Sequence, residues 1–146
     1  MYKRKIYFFS SLIITLSTII IFATGSSLLT LAINNSNTIP LGTFITWVGL
    51  ISLPMSIFWG IQELRKPTTN FNKFLSSFLK LIILLAILWV PISYLLAGNL
   101  SFNFSEKTVF QGGQTAMKCF WFLTYGISIG ALSTICLYWI SLLFKK

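Results

Sequence analysis

Residues 6–33 read IYFFSSLIITLSTIIIFATGSSLLTLAI, 28 residues without a single charge. A helix needs about 20 mostly apolar residues to cross ~30 Å of hydrocarbon at ~1.5 Å per residue, so this stretch alone sets the class. Three further uncharged stretches lie downstream: residues 43–61, 81–98 and 119–144. The two shorter ones, 43–61 and 81–98, gain a turn from their flanks. Polar segments at 34–42, 62–80 and 99–118 separate the four. The expectation is an all-α polytopic membrane protein, a single four-helix transmembrane bundle over residues 1–146. Its helices fall near 6–33, 43–61, 81–98 and 119–144.

The composition agrees. Of 146 residues, 55% are apolar and 9% charged, against about 25% charged in a soluble domain. Lys and Arg number 11 and acidic residues 2, for a net charge of +9. The basic residues divide unevenly between the two ends of the helices. Lys3, Arg4, Lys5, Arg65, Lys66, Lys73, Lys80, Lys145 and Lys146 fall on one side, Lys107 and Lys118 on the other. Basic residues in short loops favour the cytoplasm, so both termini are expected there, with 34–42 and 99–118 as outside loops. The charge is then an orientation signal and an attraction for anionic lipid head groups. Scattered in twos and threes at helix ends, it is not a nucleic-acid footprint.

Met1–Lys5 before an apolar run also resembles a secretory signal, with Ala23-Thr24-Gly25 at a cleavage-like spacing. The run continues far beyond a signal's apolar core of about 7–15 residues, which favours an uncleaved first helix.

In lipid, helices associate through close backbone approach and interhelical hydrogen bonds. Gly126, Gly130 and Thr134 recur every four residues in the fourth helix. Gly49, Ser52, Ser56 and Gly60 do so at three and four in the second, and Ser11, Thr15 and Thr18 in the first. Each stripe is a candidate helix contact, either for a partner or, more plainly, within the bundle. The third helix is bulky and nearly featureless and is expected to be the most lipid-exposed. Pro54 and Pro91 fall inside helices two and three, where each removes a backbone hydrogen bond.

The missing chemistry is informative. There is no His and no Asp, and Glu occurs only at positions 63 and 106. Imidazole ligation and His-based acid–base catalysis are therefore excluded, and no carboxylate sits in an apolar stretch to serve a proton or cation path. Cys119 and Cys136 are about 25 Å apart on one helix, too far for a disulfide, which needs Cα atoms within ~7 Å. Ser76 and Lys80 share a helix face, but Lys80 is expected to snorkel to the head groups and not to form a hydrolytic dyad. Gln111-Gly112-Gly113-Gln114 lacks the Lys of a phosphate loop and reads as a turn. Sequons occur at Asn34, Asn99 and Asn103. No catalytic residue, metal site or cofactor is expected, and no enzymatic activity.

The segment 99–118 opens with Leu100-Ser101-Phe102-Asn103-Phe104-Ser105, an apolar/polar alternation suited to a strand or an interfacial segment. Phe102, Phe104 and Phe110 are candidates for an outside aromatic contact surface, or for partition into the head groups.

The layout resembles the four-helix inner-membrane immunity proteins that protect bacteria from pore-forming colicins. The similar features are the patch Glu63-Leu64-Arg65-Lys66 after helix two, a third helix running into the loop from Asn99 to Thr108, and a basic end at Lys145 and Lys146. The similarity covers roughly residues 44–146. It implies a bundle in the bacterial inner membrane that meets a toxin's inserted helices and blocks channel opening by helix–helix contact, without chemistry. A second reading is an accessory subunit or assembly factor of a transporter, secretion or respiratory complex. A third is a small homo-oligomeric channel or holin. The partners implied are membrane lipids and another membrane protein or a copy of the chain, with no nucleic acid.

Overall fold

A computed structural model describes residues 2–33, 39–102, 104 and 110–144, and these are mostly helical, with no strand among them. In order come α1 (Tyr2–Ala23), α2 (Leu41–Gly60), α3 (Gln62–Arg65), α4 (Asn70–Ile87), α5 (Trp89–Ala97) and α6 (Gly113–Leu143). Four of them, α1, α2, α4 and α6, are long and apolar enough to cross a membrane. Asn34, Asn103, Glu106, Lys107, Lys145 and Lys146 lie outside the described residues.

The first helix is shorter than its apolar run. It ends at Ala23, where Gly25 takes a left-handed φ of 58°. The Ser26 N–H donates to the Ile21 carbonyl at 3.3 Å and the Gly25 N–H to Phe22 at 3.2 Å. This is a Schellman cap, which stops a helix whatever the apolarity beyond it. The chain then makes a 3-10 turn over Ser27–Leu29 and a bridge pairing Ala32 with Pro40.

The third helix begins well before residue 81, at Asn70. The Thr69 hydroxyl caps it by accepting from the Asn72 N–H at 3.2 Å, and Asn72, Leu75, Ser76 and Leu79 are buried while Lys73 and Lys80 face out. Helical period, not continuous apolarity, carries this part. The helix breaks at Leu88, between α4 and α5. Pro91 has no N–H for the Ile87 carbonyl, and the Trp47 indole N–H of α2 donates to the carbonyls of Ala86 and Ile87, each at 3.1 Å. The expected proline distortion is thus present and its freed acceptor is satisfied. Pro54 is buried within α2, which stays continuous. The fourth helix also starts early, at Gly113 (φ 65°).

α2 occupies the centre. Its Leu50 and Ile57 join Leu75, Leu79, Ile82, Ala86 and Trp89 of α4–α5 and Phe120, Ile127, Ala131 and Tyr138 of α6 in one core. Its opposite face carries α1. Only Ser11 and Thr15 are buried among the described side chains of α1. The most exposed helix is therefore α1, not the third as expected, because the α4–α5 stripe is the wall against which α2 and α6 pack.

Candidate functional site

The stripes of α1 and α2 meet along one seam. A Cβ on Gly49 would lie 2.5 Å from Thr18 Cγ2, and one on Gly60 2.9 Å from Phe8 Cε2. Between these close approaches, the Thr15 and Ser52 hydroxyls share a hydrogen bond of 2.9 Å, both residues buried. Ser56, also buried, donates to its own helix at the Leu53 carbonyl, 2.7 Å away. Close backbone contact plus an interhelical hydroxyl bond is the device by which apolar helices pair in lipid.

The α6 stripe splits. A Cβ on Gly130 would lie 2.9 Å from Ile82 Cδ1, and Thr134 is fully buried, its hydroxyl on the Gly130 carbonyl at 2.8 Å. Among the described residues, no other helix comes within 4 Å of the Gly126 Cβ position. Four-residue spacing drifts around a 3.6-residue helix, so Gly130 and Thr134 face inward while Gly126 faces out.

The three loop phenylalanines turn toward the bundle. Phe102 is 0% exposed, held at φ 47°, with its ring 5.1 Å from Trp89 and 5.7 Å from Phe120. Phe110 is half-buried 5.3 Å from Phe120, and Phe104 half-buried 6.2 Å from Phe22. Phe102 thus belongs to the core and not to an outside aromatic surface. The described part of 99–102 forms no strand: Asn99 Oδ1 accepts from the Ser101 N–H at 2.9 Å, and the buried Thr43 hydroxyl donates to the Leu100 carbonyl at 2.6 Å.

Ser76 is buried with no partner for its hydroxyl, and Lys80 is exposed, so the two form no dyad. Cys119 and Cys136 are both free and exposed. Among the described residues, no three His, Cys, Asp or Glu side chains gather as metal ligands.

The start of α1, the end of α2, α3 and the end of α6 lie together at one end of the bundle. The Tyr138 hydroxyl donates to Glu63 Oε2, fixing α3 to α6, while the Arg65 guanidinium lies over the Trp59 ring, 5.9 Å from its centroid. Tyr7 packs on that ring at 5.1 Å. Burial, and then the nearby Arg4 charge, push the Arg65 guanidinium below its ordinary value. In the sequence, Arg65 reads as an orientation anchor. The signal that marks more is Trp59-Gly60 followed closely by Arg65, an amphipathic ring and a cation at the end of an apolar helix.

The chain matches no protein-family model, no curated protein and no solved structure.

Proposed function

We propose that this chain is an integral membrane protein that acts by binding, through helix–helix contact with another membrane protein, and not by catalysis. Four apolar helices support insertion, and the basic residues gathered at one end support a cytoplasmic location for that end and both termini. A bacterial inner membrane fits this charge bias. The observation that carries the binding role is the outward notch at Gly126, set between the largely exposed Phe122 and Ile129. A glycine between large side chains lets a second helix approach closely, and none of the described residues fills that notch. A pore-forming toxin's inserted helices, as in the immunity proteins the layout resembles, are one class of partner. The helices of a resident complex are the other.

The test separates the two glycines. Gly126→Leu is expected to keep the amount of folded protein and lose whatever co-purifies stoichiometrically from native membranes in mild detergent. Gly130→Leu is expected to lower the amount of folded protein, since its side chain must displace Ile82 and Phe78. A resident complex retained by the wild type identifies an accessory subunit; a lone wild-type protein that binds only a challenging toxin identifies immunity. Binding that survives Gly126→Leu contradicts the assigned face.

A further inference from the structure

At the basic end, Arg4, Lys5, Phe8, Phe9, Trp59 and Gly60 line a cavity of about 270 Å³. Two buried donors beside it have no hydrogen-bond acceptor, Trp59 Nε1 and Arg65 Nε. Arg65 sits on the face of Trp59 and close enough to Arg4 for the two cations to repel. Buried donors without acceptors are costly, and so are clustered like charges. One anion with several acceptor oxygens removes the repulsion, and Arg matches phosphate geometry well.

Trp59 also ends an apolar groove along one side of the α1–α2 seam. A cavity of about 270 Å³ runs between Tyr7, Ser10 and Ile14 on α1 and Val48, Met55 and Trp59 on α2. A second, of about 330 Å³, shares Ile14 and Val48 with it and reaches Ile21 and Phe44. From Tyr7 to Ile21 is about 21 Å at the helical rise, longer than the ~15 Å half-thickness of a hydrocarbon core. The serine hydroxyls of the first cavity bond to carbonyls within their own helices, Ser10 to Tyr7 at 3.1 Å and Ser52 to Gly49 at 3.0 Å. The groove therefore presents carbon to an occupant, while its end presents cations.

We propose that this seam is a binding site for one anionic phospholipid, its phosphodiester held by Arg4, Lys5 and Arg65 and one acyl chain laid in the groove. An apolar partner helix or second copy would fill the groove but leave the cations unanswered, so the charged end selects the lipid. The site presupposes the membrane-spanning reading proposed above.

Native mass spectrometry of the full, detergent-purified chain tests it, with phosphatidylglycerol, phosphatidylcholine of the same chains, and glycerol phosphate as probes. One phosphatidylglycerol should bind about tenfold more tightly than phosphatidylcholine, and R4Q/R65Q should remove that preference, the loss of charge-assisted bonds being worth about a factor of ten or more. K73Q/K80Q makes the same change in charge elsewhere on the chain and should leave the preference intact. R4Q/K5Q, which spares the Arg65–Trp59 contact, decides the matter if R4Q/R65Q does not fold by circular dichroism. Equal loss in K73Q/K80Q overturns the site in favour of diffuse attraction. Glycerol phosphate binding as well as the lipid overturns the lipid in favour of a free anion, and a lipid-free dimer overturns it in favour of a second copy. Release of the protein from membranes without detergent would instead refute the spanning reading itself.

Discussion

Trp89→Ala is expected to destabilise the bundle by about 3–5 kcal/mol, the range for truncating a large buried aromatic. Trp89 is 1% exposed at the first turn of α5, just past the break that Pro91 imposes. Its ring packs on Phe102 at 5.1 Å and on Phe120 at 5.7 Å, so it joins the loop after α5 to α6. Its indole N–H donates to Thr124 Oγ1 at 2.9 Å, and that hydroxyl in turn donates to the Phe120 carbonyl at 2.8 Å. Truncation empties a space bounded by two aromatic rings and strips the hydroxyl of its donor. Denaturation in mixed micelles, followed by circular dichroism, reads the loss. Trp139→Ala is the control, since Trp139 is 59% exposed and no ring contact holds it among the described residues; it should cost well under ~1 kcal/mol. Equal costs for the two would mean that Trp89 is not the hub of this end.

Gly49→Leu should separate α1 from α2. Even the first added carbon would lie 2.5 Å from Thr18 Cγ2 and 3.0 Å from its Oγ1, and overpacking of this kind costs about 1–3 kcal/mol. The Thr15–Ser52 hydrogen bond, worth about 1 kcal/mol, is lost with the contact. Because α1 packs almost wholly on α2, the strain is relieved by release of α1 and not by rearrangement of the core. In a background with Cys119 and Cys136 changed to Ser, oxidative cross-linking of T15C/S52C reports the seam, and Gly49→Leu should reduce it about tenfold or more, the equivalent of ~1.4 kcal/mol. Thr18→Ala should restore much of the cross-link to Gly49→Ala, since it removes the atom in the way. A cross-link unaffected by Gly49→Leu would place the helices differently.

What was legible in the sequence follows from which physical signal each element carries. The four apolar stretches identify four long helices because apolarity there is continuous. The ends are poorly marked because capping works against that signal. Gly25 stops α1 in the midst of apolar residues, and Thr69 starts α4 among charged ones. The stripe Ser11–Thr15–Thr18 and its counterpart Gly49–Ser52–Ser56–Gly60 could be read from spacing alone, but not their pairing with each other. Spacing alone also could not part Gly126 from Gly130, since four-residue repeats drift around the helix. Phe102 reads as a surface aromatic because alternation says nothing of a chain reversal. The meeting of Arg4 with Trp59 and Arg65 was invisible for a simpler reason: Arg4 is more than fifty residues from the other two, and only the antiparallel return of α2 brings it to them.

Central to all of this are helices that cross a bilayer with the basic end on one side. Single cysteines placed at Lys3, Thr30, Lys66 and Gln111, all exposed positions, on a background lacking Cys119 and Cys136, test this with a membrane-impermeant maleimide applied to sealed vesicles of either orientation. Lys3→Cys and Lys66→Cys should react from one face and Thr30→Cys and Gln111→Cys only from the other. Labelling of all four from the same face would contradict that arrangement.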